Sequence, residues 1–284
     1  MKYGFFDDSY TLAEKGYNGS DRLSIQQFVT MGILFVLIIV ISILLRKLKK
    51  EKVLTIYKVI SFVMPILEIA KMVFSGVADY RHGEPYNLGG ALPLYTCSML
   101  MYFVPFVAWG KGRMKTWSMA FFASIGLVAG LSNFVYLSAA GWYPLWTFGC
   151  LHSIIYHSLI VFVGVSLLIC QLYTPSLKTI YEGMIPILLF SVIAIPMNYI
   201  IDSIPNNGSS PDYMLLMNAN GFIPFISDFF ISNNIQFLFT LLMLLVAYPL
   251  ATAIITFVIM GIYKLVKLMS GQKAYKQASQ TPSV

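Results

Sequence analysis

Charged residues are scarce in this chain of 284 residues, because Asp, Glu, Lys and Arg together make up only 11% of it. Soluble domains carry about a quarter charged residues, which cover their water-facing surface. Here 58% of the residues are hydrophobic, and the mean hydropathy is +0.74. The composition therefore excludes a soluble globular domain and predicts a protein that lies largely within a membrane.

Cysteine and histidine are also rare, with three of each. Cys97, Cys150 and Cys170 are too few, and too apolar in their surroundings, for a disulfide framework. The chain contains no phosphate-binding loop, dinucleotide fingerprint, metalloprotease helix or hydrolase nucleophile elbow. We therefore expect no cofactor and no metal site, so any chemistry must come from the side chains themselves.

The sequence does contain seven long apolar segments, each close to the ~20 residues that cross a bilayer. They cover residues 28–45, 53–74, 92–109, 116–137, 150–172, 180–201 and 235–263. The pattern predicts an all-α, polytopic membrane bundle of about seven transmembrane helices over residues 28–265. Residues 1–27 are polar and of mixed charge, unlike a signal peptide, and are expected to form an extracellular segment.

Lys and Arg concentrate in the loops that follow the first, third, fifth and seventh segments. The loops after the fourth and sixth have neither, and the loop after the second has only Arg81. Cytoplasmic loops hold the excess of positive charge, so the amino terminus is predicted outside and the carboxyl terminus inside a plasma membrane. Residues 202–233 then form an outer loop or lid, and 266–284 a cytoplasmic tail. The net charge of +7 thus reflects topology and does not indicate nucleic acid.

This topology brings the polar residues of five segments to one side of the membrane. Glu68, Cys97, Asn133 and Asn198 fall near the outer ends of their segments, and His152 and His157 lie in the outer half of the fifth. Polar groups within spans are costly and usually mark a site. Singly, each also fits a structural role: a buried thiol, a core histidine, an ion pair of Glu68 with Lys71, or amides bonding neighbouring helices.

The two histidines are five residues apart, which places them about 140° apart around a helix. They cannot both point squarely at one partner, so a metal site made by this pair is not expected. We expect one histidine to act and the other to support it, and His157 is the deeper. A histidine activates a thiol by removing its proton, which makes Cys97 and His157 the candidate nucleophile and base. Asn133 or Asn198 is a candidate oxyanion donor, and Glu68 a candidate to orient an imidazole.

Four short motifs carry a family resemblance: LPLYTCS at 92–98, YHS at 156–158, PMNYI at 196–200 and DYM at 212–214. They resemble the bacterial YwaF-type integral membrane proteins, although Tyr95 and Ser158 stand where members often carry histidine and glycine. That family is distantly similar to vertebrate transmembrane protein 164, which acylates ether phospholipids through a cysteine thioester. The resemblance implies Cys97 as the acyl-carrying residue and His157 as its partner, with Tyr95 and Tyr213 in supporting motifs.

These observations favour an intramembrane acyltransferase or transacylase that uses a phospholipid donor and a lysolipid or lipoprotein acceptor. Two other functions fit the same polar groups. A transporter would use them to line an outer vestibule, and the prolines within the apolar segments are compatible with its broken helices. A scaffold or receptor would use the long outer loop as its binding surface.

Overall fold

The structure is a computed structural model and describes residues 2–204, 213–215 and 236–278, the last of these with side chains as far as Lys264. All regular structure in these residues is helical, which confirms the predicted fold class. The α-helices are α1 Ser9–Glu14, α2 Ile25–Leu45, α3 Lys50–His82, α4 Leu88–Ala91, α5 Met99–Ala108, α6 Gly112–Phe122, α7 Ile125–Val135, α8 Phe148–Ile169, α9 Lys178–Asp202, α10 Gln236–Leu242 and α11 Tyr248–Ala278. Short turns of other helix types lie at Ser138–Gly141, Tyr213–Leu215 and Met243–Ala247.

Six helical stretches within the described residues are long and apolar enough to cross a membrane: α2, α3, α6 with α7, α8, α9, and α10 with α11. The chain is thus a multi-pass membrane protein. The predicted third span, 92–109, forms a helix only over α5, which has 10 residues. Pro93 explains the shortfall, because the residue before a proline avoids helical geometry, and Leu92 is indeed extended with ψ 130°.

The predicted fourth span is also interrupted. Helix α6 ends at Phe122 and α7 begins at Ile125, with Ser124 between them in non-helical geometry at φ −130° and ψ −106°. The Ser124 hydroxyl bonds back to the carbonyl of Ala120 over 2.6 Å. Such local bonding competes with the helical ladder, and the span is therefore two helices joined by a break.

Helices α7 and α8 run in opposite directions, because they end beside opposite ends of α2. Near the start of α2, the Gln27 side chain donates to the carbonyl of Val135 at the end of α7. Near the end of α2, the carbonyl of Ser42 accepts from Cys170, which follows α8. We call the first end of the bundle the cap end, because residues 2–21 pack there, and the second the basic end, since it carries the cationic loops. Which end faces the cytoplasm stays a prediction.

Helix α8 packs against α2, α3, α6 and α7. Its apolar window is 61% buried, whereas that of α2 is only 22% buried, as expected for a peripheral helix that faces lipid. Close packing around α8 depends on Gly164, where an added Cβ would lie 2.5 Å from the carbonyl oxygen of Phe122. Both predicted active-site histidines therefore lie on a helix that, together with the α6–α7 stretch, is more enclosed than the other spans in the described residues.

Candidate active site

A cavity of about 230 Å³ opens among α3, α8 and the non-helical segment 92–98. It is lined by five of the predicted site residues, Glu68, Tyr95, Cys97, His152 and His157, together with Lys71, Phe74, Ser75, Ser98, Ala139, Tyr143, Phe148, Gly149, Ser153 and Tyr156. Because α3 and α8 are antiparallel, the end of one meets the start of the other, and the Phe74 and Phe148 rings lie 4.9 Å apart. The cavity therefore lies toward the cap end.

Cys97 occupies the turn directly before α5, whose N-cap is Ser98. The turn is closed by the amide of Ser98, which donates to the carbonyl of Tyr95 over 2.9 Å. All three cysteines are free thiols. Cys97 is partly exposed, whereas Cys150 and Cys170 are buried. Lys71 and Glu68 lie within electrostatic range of its thiol. Of the three cysteines, Cys97 is the one that lines the cavity.

His157 is held in a defined orientation by its own helix. Its Nδ1 lies 2.7 Å from the carbonyl oxygen of Ser153, one turn earlier in α8. A carbonyl only accepts hydrogen bonds, so Nδ1 must carry the proton and donate it. In the neutral ring this leaves the lone pair on Nε2, which is the tautomer that can accept a proton. His157 is only 8% exposed and lines the cavity, so the arrangement can supply a general base there.

His152 faces a different partner. Its Nε2 lies 3.8 Å from Oε2 of Glu68 and forms no hydrogen bond among the described residues. The second carboxylate oxygen, Oε1, accepts from Lys71 Nζ over 3.0 Å. The expected Glu68–Lys71 ion pair is therefore present, and the imidazole beside Glu68 is that of His152. Despite their separation around the helix, both histidines reach the cavity.

The two predicted amide donors do not line the cavity. Asn198 is fully buried, and its side chain bonds to the backbone of Tyr213, accepting from the amide over 2.8 Å and donating to the carbonyl over 3.3 Å. Asn133 has a buried Oδ1 without a hydrogen-bond partner in the described part of the chain. Neither is positioned as the predicted oxyanion donor, because the sequence gives their depth but not the direction in which they point.

Tyr213 takes part indirectly, through contact with the segment that carries Cys97. Its ring packs edge to face on that of Tyr95, with centroids 5.2 Å apart. The Tyr248 hydroxyl, at the start of α11, donates to the carbonyl of Met214 over 2.5 Å and lies 3.2 Å from Thr96 Oγ1. Two residues directly before Cys97 are thus held by the Tyr213–Leu215 turn and α11. We call these contacts the 213–248 clasp.

Tyr156 is a cavity residue that sequence reasoning missed as a functional group. It is 3% exposed and lines the cavity with Cys97 and Ser98, and its hydroxyl has no hydrogen-bond partner among the described residues. Its ring contacts those of both His152 and His157. The motif YHS contained the signal, since a tyrosine next to the candidate base on the same helix carries a hydroxyl donor. Unlike Asn133 and Asn198, Tyr156 lines the cavity, which makes its hydroxyl a candidate oxyanion donor.

The predicted N-terminal segment is folded against the bundle. The Phe148 amide donates to the carbonyl of Phe5 over 2.8 Å, and the ring of Phe6 also contacts Phe148. Tyr10 donates to Asp79 on α3 over 3.1 Å. Because Phe148 lines the cavity, residues 2–21, here called the cap, cover its wall at this end.

Local contacts hold the cap together. The Lys15 ammonium donates to Asp7 over 2.6 Å and, by this hydrogen bond, lowers the pKa of the Asp7 carboxyl below its usual range. The predicted outer loop or lid, 202–233, lies outside the described residues apart from 202–204 and 213–215. For the predicted tail, 266–284, the structure describes only the helical backbone as far as Ala278.

No significant match to the chain is found among curated proteins or solved structures. A family model, described as the TMEM164 family, matches residues 22–266. The expected relationship to transmembrane protein 164 is thereby confirmed, whereas the resemblance to YwaF-type proteins stays a prediction. Since the match covers most of the sequence, including every residue that lines the cavity, the chain belongs to the TMEM164 family.

Proposed function

We propose that this protein is an intramembrane lipid acyltransferase or transacylase that carries the acyl group on Cys97. The observation that supports it most directly is that one cavity is lined by a free, partly exposed thiol and by a histidine whose basic Nε2 is defined by the Nδ1 bond to Ser153. Membership of the TMEM164 family is consistent with this function.

In the first half-reaction His157 removes the thiol proton, and the Cys97 sulfur attacks the ester carbonyl of a phospholipid. The Tyr156 hydroxyl donates to the oxyanion that forms. The C–O bond of the ester then breaks, and the departing lysophospholipid oxygen takes the proton from His157. The products are an acyl thioester on Cys97 and a free lysophospholipid.

In the second half-reaction an acceptor attacks the thioester carbonyl. A lysolipid hydroxyl or a lipoprotein amine gives its proton to His157, and the thiolate of Cys97 leaves and recovers that proton. An acceptor that enters the same cavity experiences the same base and the same oxyanion donor, so one site serves both steps. We place the donor in the outer leaflet of the plasma membrane, in keeping with the predicted orientation.

The proposal is tested with protein reconstituted in vesicles that contain a phospholipid labelled in its acyl chain and an unlabelled lysophospholipid. Labelled product is measured for wild type, Cys97→Ala, Cys97→Ser and His157→Ala. We expect Cys97→Ala to abolish transfer and His157→Ala to slow it by at least about 100-fold. Cys170→Ala is the matched control, since this cysteine lies at the basic end and should be dispensable.

Full transfer by both Cys97 variants would overturn the thioester mechanism. Absence of transfer by wild type, combined with movement of a solute across the vesicle membrane, would instead favour the transporter. In that case Cys97→Ala should leave the movement of solute unchanged.

A further inference from the structure

One wall of the cavity carries an arrangement of charge that the transfer chemistry does not use. Lys71, Glu68 and His152 form a chain in which the carboxylate stands between the two cationic or protonatable groups, with distances of 3.0 Å to Lys71 Nζ and 3.8 Å to His152 Nε2. The Glu68 side chain is 4% exposed, so it is held within the protein, whereas that of Lys71 is 30% exposed. Glu68 is thus the buried group, and Lys71 reaches toward the surface of the cavity.

Both outer members have hydrogen-bonding capacity that no group among the described residues uses. An ammonium group has three donors, and the Glu68 bond uses one of those of Lys71. His152 is 92% buried (8% exposed), lines the cavity and forms no hydrogen bond at Nε2 among the described residues. A buried polar atom without a partner is costly, and in a cavity it indicates a ligand that supplies the missing bond.

We propose that Lys71 and His152 form a subsite for the phosphodiester group of a lipid. Lys71 binds one non-bridging oxygen, and His152, with a proton on Nε2, donates to another. Glu68 accepts from Lys71, which holds the ammonium in place and balances its positive charge when the cavity is empty. An anionic, oxygen-rich ligand fits two such donors, since charge-assisted hydrogen bonds to phosphate are among the strong ones.

The remainder of the wall indicates that the phosphate belongs to a lipid and not to a soluble compound. Phe74 and Phe148 lie beside the subsite, and the rings are 4.9 Å apart. Phe148 also contacts the His152 ring, with centroids 6.3 Å apart. A ligand whose phosphate reaches Lys71 therefore meets apolar surface on the neighbouring wall. The cavity also contains Cys97, so the same molecule can present its ester to the thiol.

The subsite deepens the proposed function and rests on it only in taking the ligand to be a membrane lipid. It gives His152 a binding role, distinct from the proton transfer assigned to His157. It also fits the position of Glu68 beside His152. A carboxylate beside the base would stabilise the imidazolium form of that base, whereas Glu68 neutralises Lys71 and leaves Nε2 of His152 without a hydrogen bond among the described residues. The lipid is bound through its phosphate and its ester is delivered to Cys97.

The test uses dialkyl phosphatidylglycerol, which has ether-linked chains and cannot acylate the thiol, and whose headgroup bears no charge except the phosphate. Occupancy is measured as protection of Cys97 from alkylation by a maleimide, in micelles with increasing mole fraction of the lipid. Dialkylglycerol with the same chains is the comparison. We expect the phospholipid to protect Cys97 in wild type at about one-tenth the mole fraction that dialkylglycerol requires.

Lys71→Met and His152→Phe should each raise the mole fraction for half-protection by phosphatidylglycerol about tenfold and leave that for dialkylglycerol unchanged. Lys58→Met is the matched control, because this lysine is on the same helix but does not line the cavity. Since Lys71→Met leaves a buried carboxylate unpaired, the double variant Glu68→Gln/Lys71→Met is measured beside it and should lose the phosphate preference equally.

Equal protection by the two lipids in wild type would overturn the subsite, and so would unchanged protection in both lysine variants. Protection by inorganic phosphate or glycerophosphoglycerol alone would assign the site to a soluble phosphate compound and overturn the lipid assignment. None of these outcomes depends on thioester formation. Failure of the proposed acyl transfer is therefore seen separately, with an ester-linked lipid.

Discussion

His157 donates its Nδ1 proton to the carbonyl of Ser153 over 2.7 Å, and this bond determines which ring nitrogen can act as a base. His157→Asn separates the two functions of the ring. An asparagine amide is able to donate to the same carbonyl, but it cannot accept a proton. We expect acyl transfer to fall by about 10²- to 10⁴-fold while the midpoint of thermal unfolding stays close to that of wild type.

Ser153→Ala is the control for that variant, because the backbone carbonyl remains and only the hydroxyl, 3.3 Å from Nδ1, is lost. It should retain most of the activity. Transfer at the wild-type rate by His157→Asn would exclude His157 as the base, and a collapse of stability would show that its role is structural.

The 213–248 clasp should position Cys97 through the residues that precede it. Tyr248→Phe removes the hydroxyl that bonds the carbonyl of Met214 and contacts Thr96. Met214 has φ 58°, a left-handed conformation that is unfavourable for a residue other than glycine and must be held by its surroundings. We expect kcat to fall about tenfold with KM for the phospholipid unchanged, since a loosened thiol is misaligned but the lipid still binds.

The matched control is Tyr199→Phe, which removes a tyrosine hydroxyl from a side chain that is 44% exposed. The rate of Cys97 alkylation provides a second readout and should also change in Tyr248→Phe. A parallel loss of kcat and thermal stability, with an unchanged alkylation rate, would show that Tyr248 serves only the fold.

The cap should limit access to the cavity from the water at the cap end. The double variant Phe5→Ala/Phe6→Ala removes the rings that pack on Phe148. We expect a charged, water-soluble maleimide to react with Cys97 several times faster than in wild type, because water gains access beside Phe148. Phe28→Ala, on an exposed face of α2, is the control. Identical reaction rates would mean that the cap does not restrict the cavity.

Gly164 should be essential for the packing of α8 against α6. A Cβ at this position would lie 2.5 Å from a backbone oxygen, which has no rotamer by which to move away. We expect Gly164→Ala to lower the free energy of unfolding by about 1–3 kcal/mol, as overpacking does elsewhere. Gly32→Ala is the control, since no atom lies within 4 Å of its added Cβ. Thermal unfolding in detergent compares them, and equal midpoints would contradict the packing.

The helical bundle and much of the cavity could be predicted from sequence because both follow from long-range regularity. Apolar runs gave the spans, and alternating loop charge gave a common depth for Glu68, Cys97, His152 and His157, which line one cavity. The depth of a residue in the membrane, however, does not say in which direction around its helix the side chain points. Asn133 and Asn198 have the right depth but do not line the cavity, and Asn198 is used to hold Tyr213.

The details that were wrong or missed depend on local backbone chemistry and on tertiary partners. Pro93 shortens the third span, and the break at Ser124 divides the fourth, although hydropathy alone predicts continuous helices. The contact of Phe5 with Phe148 joins residues 143 positions apart, and no periodicity in either segment indicates it. The polar composition of residues 1–27 predicted only that they lie outside the membrane in water.

The most direct test of the central claim is the intact mass of the purified protein after incubation with an ester-linked phospholipid. Wild type should gain the mass of one acyl chain, and hydroxylamine should remove it, as it does a thioester. Cys97→Ala should show no adduct, and His157→Ala should form it far more slowly. An adduct that persists in Cys97→Ala, or no adduct in wild type with any common phospholipid, would contradict the account.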